Sequence, residues 1–98
     1  MTLTANNYIV ARQRADWMTR TDEEILETLR DKGNLNPAAV EKFDVTVANY
    51  ASNRLSKMSD YGLVERIAPG LYRLTEVGDD FLDEELDAAE LESADEYE

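Results

Sequence analysis

Asn49 and Asn53 lie four residues apart in the stretch Thr46-Val47-Ala48-Asn49-Tyr50-Ala51-Ser52-Asn53-Arg54-Leu55-Ser56-Lys57. An asparagine amide sets a donor beside an acceptor, which matches the edge of adenine in the major groove, and an i, i+4 pair shares one helix face. Thr46, Ser52 and Ser56 complete a polar arc around this pair, and Arg54 and Lys57 flank it as candidate phosphate contacts. Asparagine and serine are poor helix formers, and a face that only kept the helix soluble would favour Glu, Lys and Ala. Recognition of duplex DNA is therefore the chemistry this arc suits, set against a merely solvated surface.

The 22 carboxylates invite another chemistry, acid–base or metal binding, above all at Asp79, Asp80, Asp83 and Glu84. No glycine-bearing calcium loop accompanies them and no phosphate loop of the GxxxxGK[ST] kind occurs. With no cysteine and no histidine, thiol nucleophiles, imidazole bases and the usual zinc sites are excluded, so neither an enzyme nor a metal or other cofactor is expected.

Net charge is −12, which ordinarily argues against a polyanionic partner. The charge is unevenly spread. Residues 76–98 hold 12 of the 22 acids and no Lys or Arg, which leaves the preceding 75 residues with equal numbers of acids and bases. The acidity belongs to a C-terminal segment that projects or forms a strongly solvated helix. Such a balance also suits solubility at molar salt, where the screening length falls to about 3 Å, and a halophilic protein is expected, set against an ordinary acidic tail. Ninety-eight residues allow one small core. No run of about 18 apolar residues occurs and the first residues lack the order of a secretion signal, so a cytoplasmic protein is expected.

The elements that would carry these residues follow from capping and periodicity. Residues 1–16 read as a partly disordered arm, in which Tyr8, Ile9 and Val10 could start a short helix. Thr21 and Glu24 match a capping box, Ile25, Leu26 and Leu29 give an apolar stripe, and Gly33 is a stop, which predicts a helix over about 22–32. Asn36-Pro37 opens a short helix to about Phe43. Thr46 can cap a third helix running to about Asp60, whose core stripe is Val47, Ala51, Leu55 and Met58. Two short strands around Ala68-Pro69-Gly70 predict a hairpin in which Ile67 faces Leu71, Arg66 faces Tyr72 and Glu65 faces Arg73. Arg66 and Arg73 are thus either phosphate or minor-groove contacts or members of cross-strand pairs. Thr75 can cap a fourth helix, fading after Ala89, with Val77, Phe81, Leu82 and Leu86 as its apolar stripe. That stripe is longer than one small core needs, and we expect a homodimer to form through it. Trp17, Phe43, Tyr61, Tyr72 and Phe81 are expected in the core, as is Tyr50 near its rim.

From Thr21 to Gly78 the chain resembles a winged helix-turn-helix transcription regulator. The likeness rests on Gly62-Leu63-Val64-Glu65-Arg66 after the third helix, a glycine in the wing, and the closing Gly70-Leu71-Tyr72-Arg73-Leu74-Thr75-Glu76-Val77-Gly78. It is similar above all to the haloarchaeal phage-repressor-like, MarR-like group, in which Arg14-Ala15-Asp16-Trp17-Met18-Thr19 also has a counterpart. The resemblance implies an α+β fold of a three-helix core, a two-stranded wing hairpin and a C-terminal helix, expected over residues 17–86, and the charge distribution leaves an acidic tail over 87–98. It implies a repressor-like, sequence-specific regulator of double-stranded DNA, with helix three in the major groove and the wing on the backbone. The alternative is a winged-helix protein-interaction module whose acidic tail meets a basic partner.

Overall fold

The computed structural model describes residues 12–94. Its elements are α1 (Arg20–Lys32), α2 (Pro37–Lys42), α3 (Ala48–Asp60), β1 (Val64–Ala68), β2 (Leu71–Leu74) and α4 (Glu76–Leu82), with a 3-10 turn at Ala88–Glu90. This is the expected α+β order of three helices, a hairpin and a closing helix. The expected helix start at Tyr8, Ile9 and Val10 lies outside the described residues.

Local chemistry sets most boundaries. Asn36 caps α2, its Oδ1 accepting from the Ala39 N–H at 2.8 Å, with Pro37 in the first turn where no amide partner is needed. Thr75 caps α4 by accepting from the Gly78 N–H at 3.0 Å, while its hydroxyl lies 2.6 Å from the Gly62 carbonyl. The capping box of α1 is displaced from the expected one. Thr19, rather than Thr21, is the N-cap, and Asp22 returns the bond to the Thr19 N–H at 3.0 Å. Thr46 does not cap α3 either: Val47 occupies the N-cap without a side-chain bond, and Glu41 Oε1 accepts from the Ala48 N–H at 2.8 Å.

Ile25, Leu26, Val40, Ala51, Leu55, Met58, Leu63, Val64 and Phe81 are buried at the centre, so α1, α2 and α3 share one core with the base of the hairpin. β1 and β2 pair antiparallel with Glu65 opposite Arg73 and Arg66 opposite Tyr72, as the pattern predicts. Ile67 does not face Leu71. A register shift lets Ala68 pair with Leu71, leaving a Pro69-Gly70 turn in which Gly70 has φ 73° and Ile67 is exposed as the bulged residue. Leu35, before α2, bonds Tyr72 through both backbone groups at 3.0 and 3.1 Å, which ties the helical half to the wing.

Three expectations about the ends of the domain are corrected. α4 stops at Leu82 instead of continuing to Ala89, and Glu84 takes φ 66° as the chain reverses. Phe81 and Leu82 are buried and so unavailable as a dimer surface, while Val77 and Leu86 pack half-buried against the same core. Nor do the expected arm, residues 1–16, and tail, residues 87–98, lie wholly off the core: Ala15 and Ala88 are buried, Gln13 bridges Asp87, and the Gln13 carbonyl accepts from the Ala88 N–H at 2.9 Å. Arg12 fastens this strip by donating to the Leu82 carbonyl at 3.0 Å and to Glu23 and Glu27 of α1. Isolated apolar stripes cannot announce how much core surface they must cover, and here two short terminal segments complete it.

α4 lies so close to the start of the hairpin that a Cβ on Gly78 would sit 2.2 Å from the Leu63 carbonyl oxygen and 2.7 Å from Leu74 Cδ1. Backbone cannot yield that far without moving the helix. Gly78→Ala is expected to lower the unfolding free energy by about 3 kcal/mol, the upper end of overpacking costs, in urea denaturation followed by circular dichroism.

Candidate nucleic-acid interface

The exposed side of α3 is the natural place to begin, because Ala51, Leu55 and Met58 bury its other side completely. Asn49, Ser52, Asn53 and Ser56 are all exposed, and Thr46, just before the helix, is half-buried. The polar arc read from the sequence thus exists as one continuous surface. Its orientation is set by α2, which packs on α3 through a turn where Asp44 takes φ 63°, a left-handed conformation that aspartate tolerates better than most residues.

Arg54 is not part of that surface and, contrary to expectation, is not free to meet a phosphate. Its guanidinium forms two parallel bonds to Asp22, Nε to Oδ1 and Nη2 to Oδ2, each 2.8 Å, and Nη2 also reaches the Trp17 carbonyl at 3.0 Å. Asp22 is fully buried and the Arg54 side chain is only 17% exposed. The hydrogen bonds it donates to Asp22 hold the guanidinium above its ordinary pKa, against the opposing effect of burial. The signal was present in the helical angles: at about 100° per residue Arg54 falls about 40° from Met58, on the rim of the core stripe rather than beside the asparagines.

Lys57 remains available. Its Nζ lies 5.8 Å from the Trp17 ring and 5.6 Å from the Tyr61 ring, two half-buried rings stacked at 4.5 Å, and among the described residues it has no ion pair. The aromatic pair supports the ammonium without neutralising it. On the wing, Arg66 is exposed and likewise has no ion pair among the described residues. Arg73 differs. It is bound to Glu65 at 2.6 Å, the cross-strand alternative read from the register, and its charge is locally compensated.

The sequence reading assigned Val47, Tyr50 and Phe43 to the core or its rim, yet they are 59%, 37% and 46% exposed. Val47 lies at the angle of the core stripe, but as the N-cap it stands beyond the end of the core it was meant to enter. Phe43 follows the last residue of α2 and receives Lys32 Nζ 5.3 Å from its ring centre.

The residues matched by the family model described as "Winged helix-turn-helix phage repressor" run from 11 to 94, and so include the terminal strips that pack on the core. A solved structure described as the PhiH1 repressor-like protein from Haloarcula marismortui superposes with a TM-score of 0.80 at 35% identity, covering 86% of this chain and 98% of that chain. No curated protein gives a significant match. Among the described residues no helix is long and apolar enough to cross a membrane.

Removing Arg54 would strand a buried carboxylate. Arg54→Ala is expected to cost about 3 kcal/mol or more, whereas replacing both partners together, Asp22→Leu with Arg54→Met, recovers a large part of that loss. Chemical denaturation of the two single variants and the double variant measures the coupling; additive losses would show that the pair is not the tie described here.

Proposed function

Because the chain belongs to the winged helix-turn-helix phage repressor family, a family of DNA-binding regulators, we propose that it binds a specific double-stranded DNA site, with α3 in the major groove and the wing on the neighbouring backbone. The observation that carries this reading is the exposed arc of α3, where Asn49 and Asn53 stand four residues apart with Ser52 and Ser56 and with no acid until Asp60. Asn49 and Asn53 read bases, and Thr46, Ser52 and Ser56 contact base edges or backbone. Lys57 and Arg66 meet phosphates, and Arg73 contributes as a member of its pair with Glu65.

One recognition helix reads only a few base pairs, so a homodimer on two half-sites related by a two-fold axis is part of the proposal. The core position of Phe81 and Leu82 requires that the dimer use a surface other than the apolar stripe of α4. The protein acts as a repressor in the cytoplasm of a cell with high internal salt, a reading supported by the charge of −12.

Selection of bound duplexes from a random pool in about 1 M KCl, chosen so that charge repulsion is screened, tests specificity. A defined, two-fold repeated sequence is expected, and Asn53→Ala should relax one position of it, by about 1–3 kcal/mol of discrimination. If neither Asn49→Ala nor Asn53→Ala alters the selected sequence, α3 is not the reading element and the protein-interaction alternative gains.

Few free cations face DNA, so counterion release is small, and the acids of residues 76–98 repel the duplex at low salt. Affinity is expected to be nearly flat, or to pass through a maximum, between about 0.1 and about 1 M KCl in titrations by fluorescence anisotropy. Neutralising Glu90, Glu92, Asp95, Glu96 and Glu98 to the corresponding amides should raise affinity most at low salt. This is a cleaner test than truncation before Ala88, which would remove a buried residue.

A further inference from the structure

Val47 breaks a local rule without an evident structural return. It occupies the N-cap of α3, where Ser, Thr, Asp or Asn would stabilise the helix, and Thr46 stands one residue away. Its side chain is 59% exposed and so contributes little to the core, although Ala51, Leu55 and Met58 are wholly buried one turn and more beyond it. A helix tip that forgoes a polar cap and presents an apolar side chain to water is built for contact with something apolar.

The surroundings narrow what that contact is. Glu41 Oε1 accepts from the Ala48 N–H at 2.8 Å, so a carboxylate already stands where a phosphate would meet the N-terminus of α3. With Asp44 also lining the hollow beside Val47, this tip disfavours phosphate, which leaves base edges as the part of a duplex it can approach. Asn49 and Asn53, both exposed, follow on the same helix at angles well away from that of Val47, so that only the tip of α3 can bring all three toward one groove, and Tyr50, three residues after Val47, adds a second partly exposed apolar surface. In the major groove the one apolar group displayed by a base pair is the C5 methyl of thymine, and the edge that suits asparagine is adenine.

Resting on the reading of α3 as the base-reading helix, we infer that Val47 is a specificity-determining residue that selects thymine by its methyl group, so that the half-site is A·T-rich where the N-terminal turn of α3 enters the groove. With few phosphate contacts available, discrimination falls on such short-range contacts. Val47 supplies the apolar contact to thymine, and Asn49 and Asn53 supply the hydrogen bonds to adenine.

The test replaces each thymine of the selected duplex, one at a time, by deoxyuridine, which keeps the base pair and removes only the methyl. Wild-type protein is expected to lose about three- to fivefold in affinity at one or two positions, the value of about one methyl withdrawn from water. Val47→Ala should bind the unmodified site more weakly and show no further loss on deoxyuridine at those positions. Its melting temperature and its preference at the position read by Asn53 should stay unchanged. Deoxyuridine tolerated at every position, an equal deoxyuridine penalty in Val47→Ala, or a selected half-site without A·T pairs would overturn the inference while leaving specific DNA binding in place. A pool that yields no preferred sequence would overturn the reading of α3 itself and this inference with it.

Discussion

The pair Asp22–Arg54 holds the domain in its working shape. Asp22 closes the first turn of α1 by returning the capping bond to Thr19, and the same carboxylate takes two bonds from an arginine in the middle of α3. Through the Trp17 carbonyl the arginine also anchors the segment that enters α1. One buried charge therefore sets the angle between the first helix and the helix that presents the asparagines. A buried ion pair is weak evidence of net stability, since desolvation offsets much of the attraction, but it is exacting about geometry because neither partner tolerates being left alone. The arrangement trades one base on α3 for a fixed presentation of its polar arc.

That trade matters in a chain with so few free cations. Arg12, Arg14, Arg20, Arg30, Arg54 and Arg73 all stand within 4 Å of carboxylates, and the contacts of Arg30 and Arg54 join elements distant in sequence. Arg30 reaches Asp79 and Asp83, tying α1 to the middle and the C-cap of α4. At molar salt exposed pairs of this kind contribute little individually, whereas the sheltered Asp22–Arg54 pair is screened far less. In the proposed reading, binding of a polyanion rests on Lys57, Arg66 and short-range contacts more than on a general basic surface, which fits a protein whose net charge opposes approach to DNA.

The hairpin and the terminal strips do for the core what a larger domain would do with more chain. Leu35 extends the hairpin by a third, one-residue rung, Gly78 lets α4 press against the Leu63 carbonyl, and the strip from Arg12 to Met18 closes the remaining side together with Ala88 and Leu91. The domain is thus held by close backbone approaches as much as by apolar side chains, as expected where only about 60% of the unfolded surface can be buried.

Element order, the Asn36-Pro37 and Thr75 caps, the Glu65–Arg73 register and the exposed polar arc of α3 were all determined by the sequence itself, because each depends on residues within a few positions of one another or on a simple helical period. Which of two capping boxes opens α1 was decided by tertiary structure: both Thr19–Asp22 and Thr21–Glu24 have suitable spacing, and only Asp22 meets Arg54. The same holds for Arg54, whose helical angle lies on the boundary between core and solvent and whose partner is 32 residues away. Val47 has the period of the core stripe, yet the core ends before reaching it. Phe81 and Leu82 looked available for a partner because a single helix cannot reveal that the rest of the chain already covers them. Periodicity states which side chains share a face, and only packing between distant segments decides where that face stops and which charges are left to act.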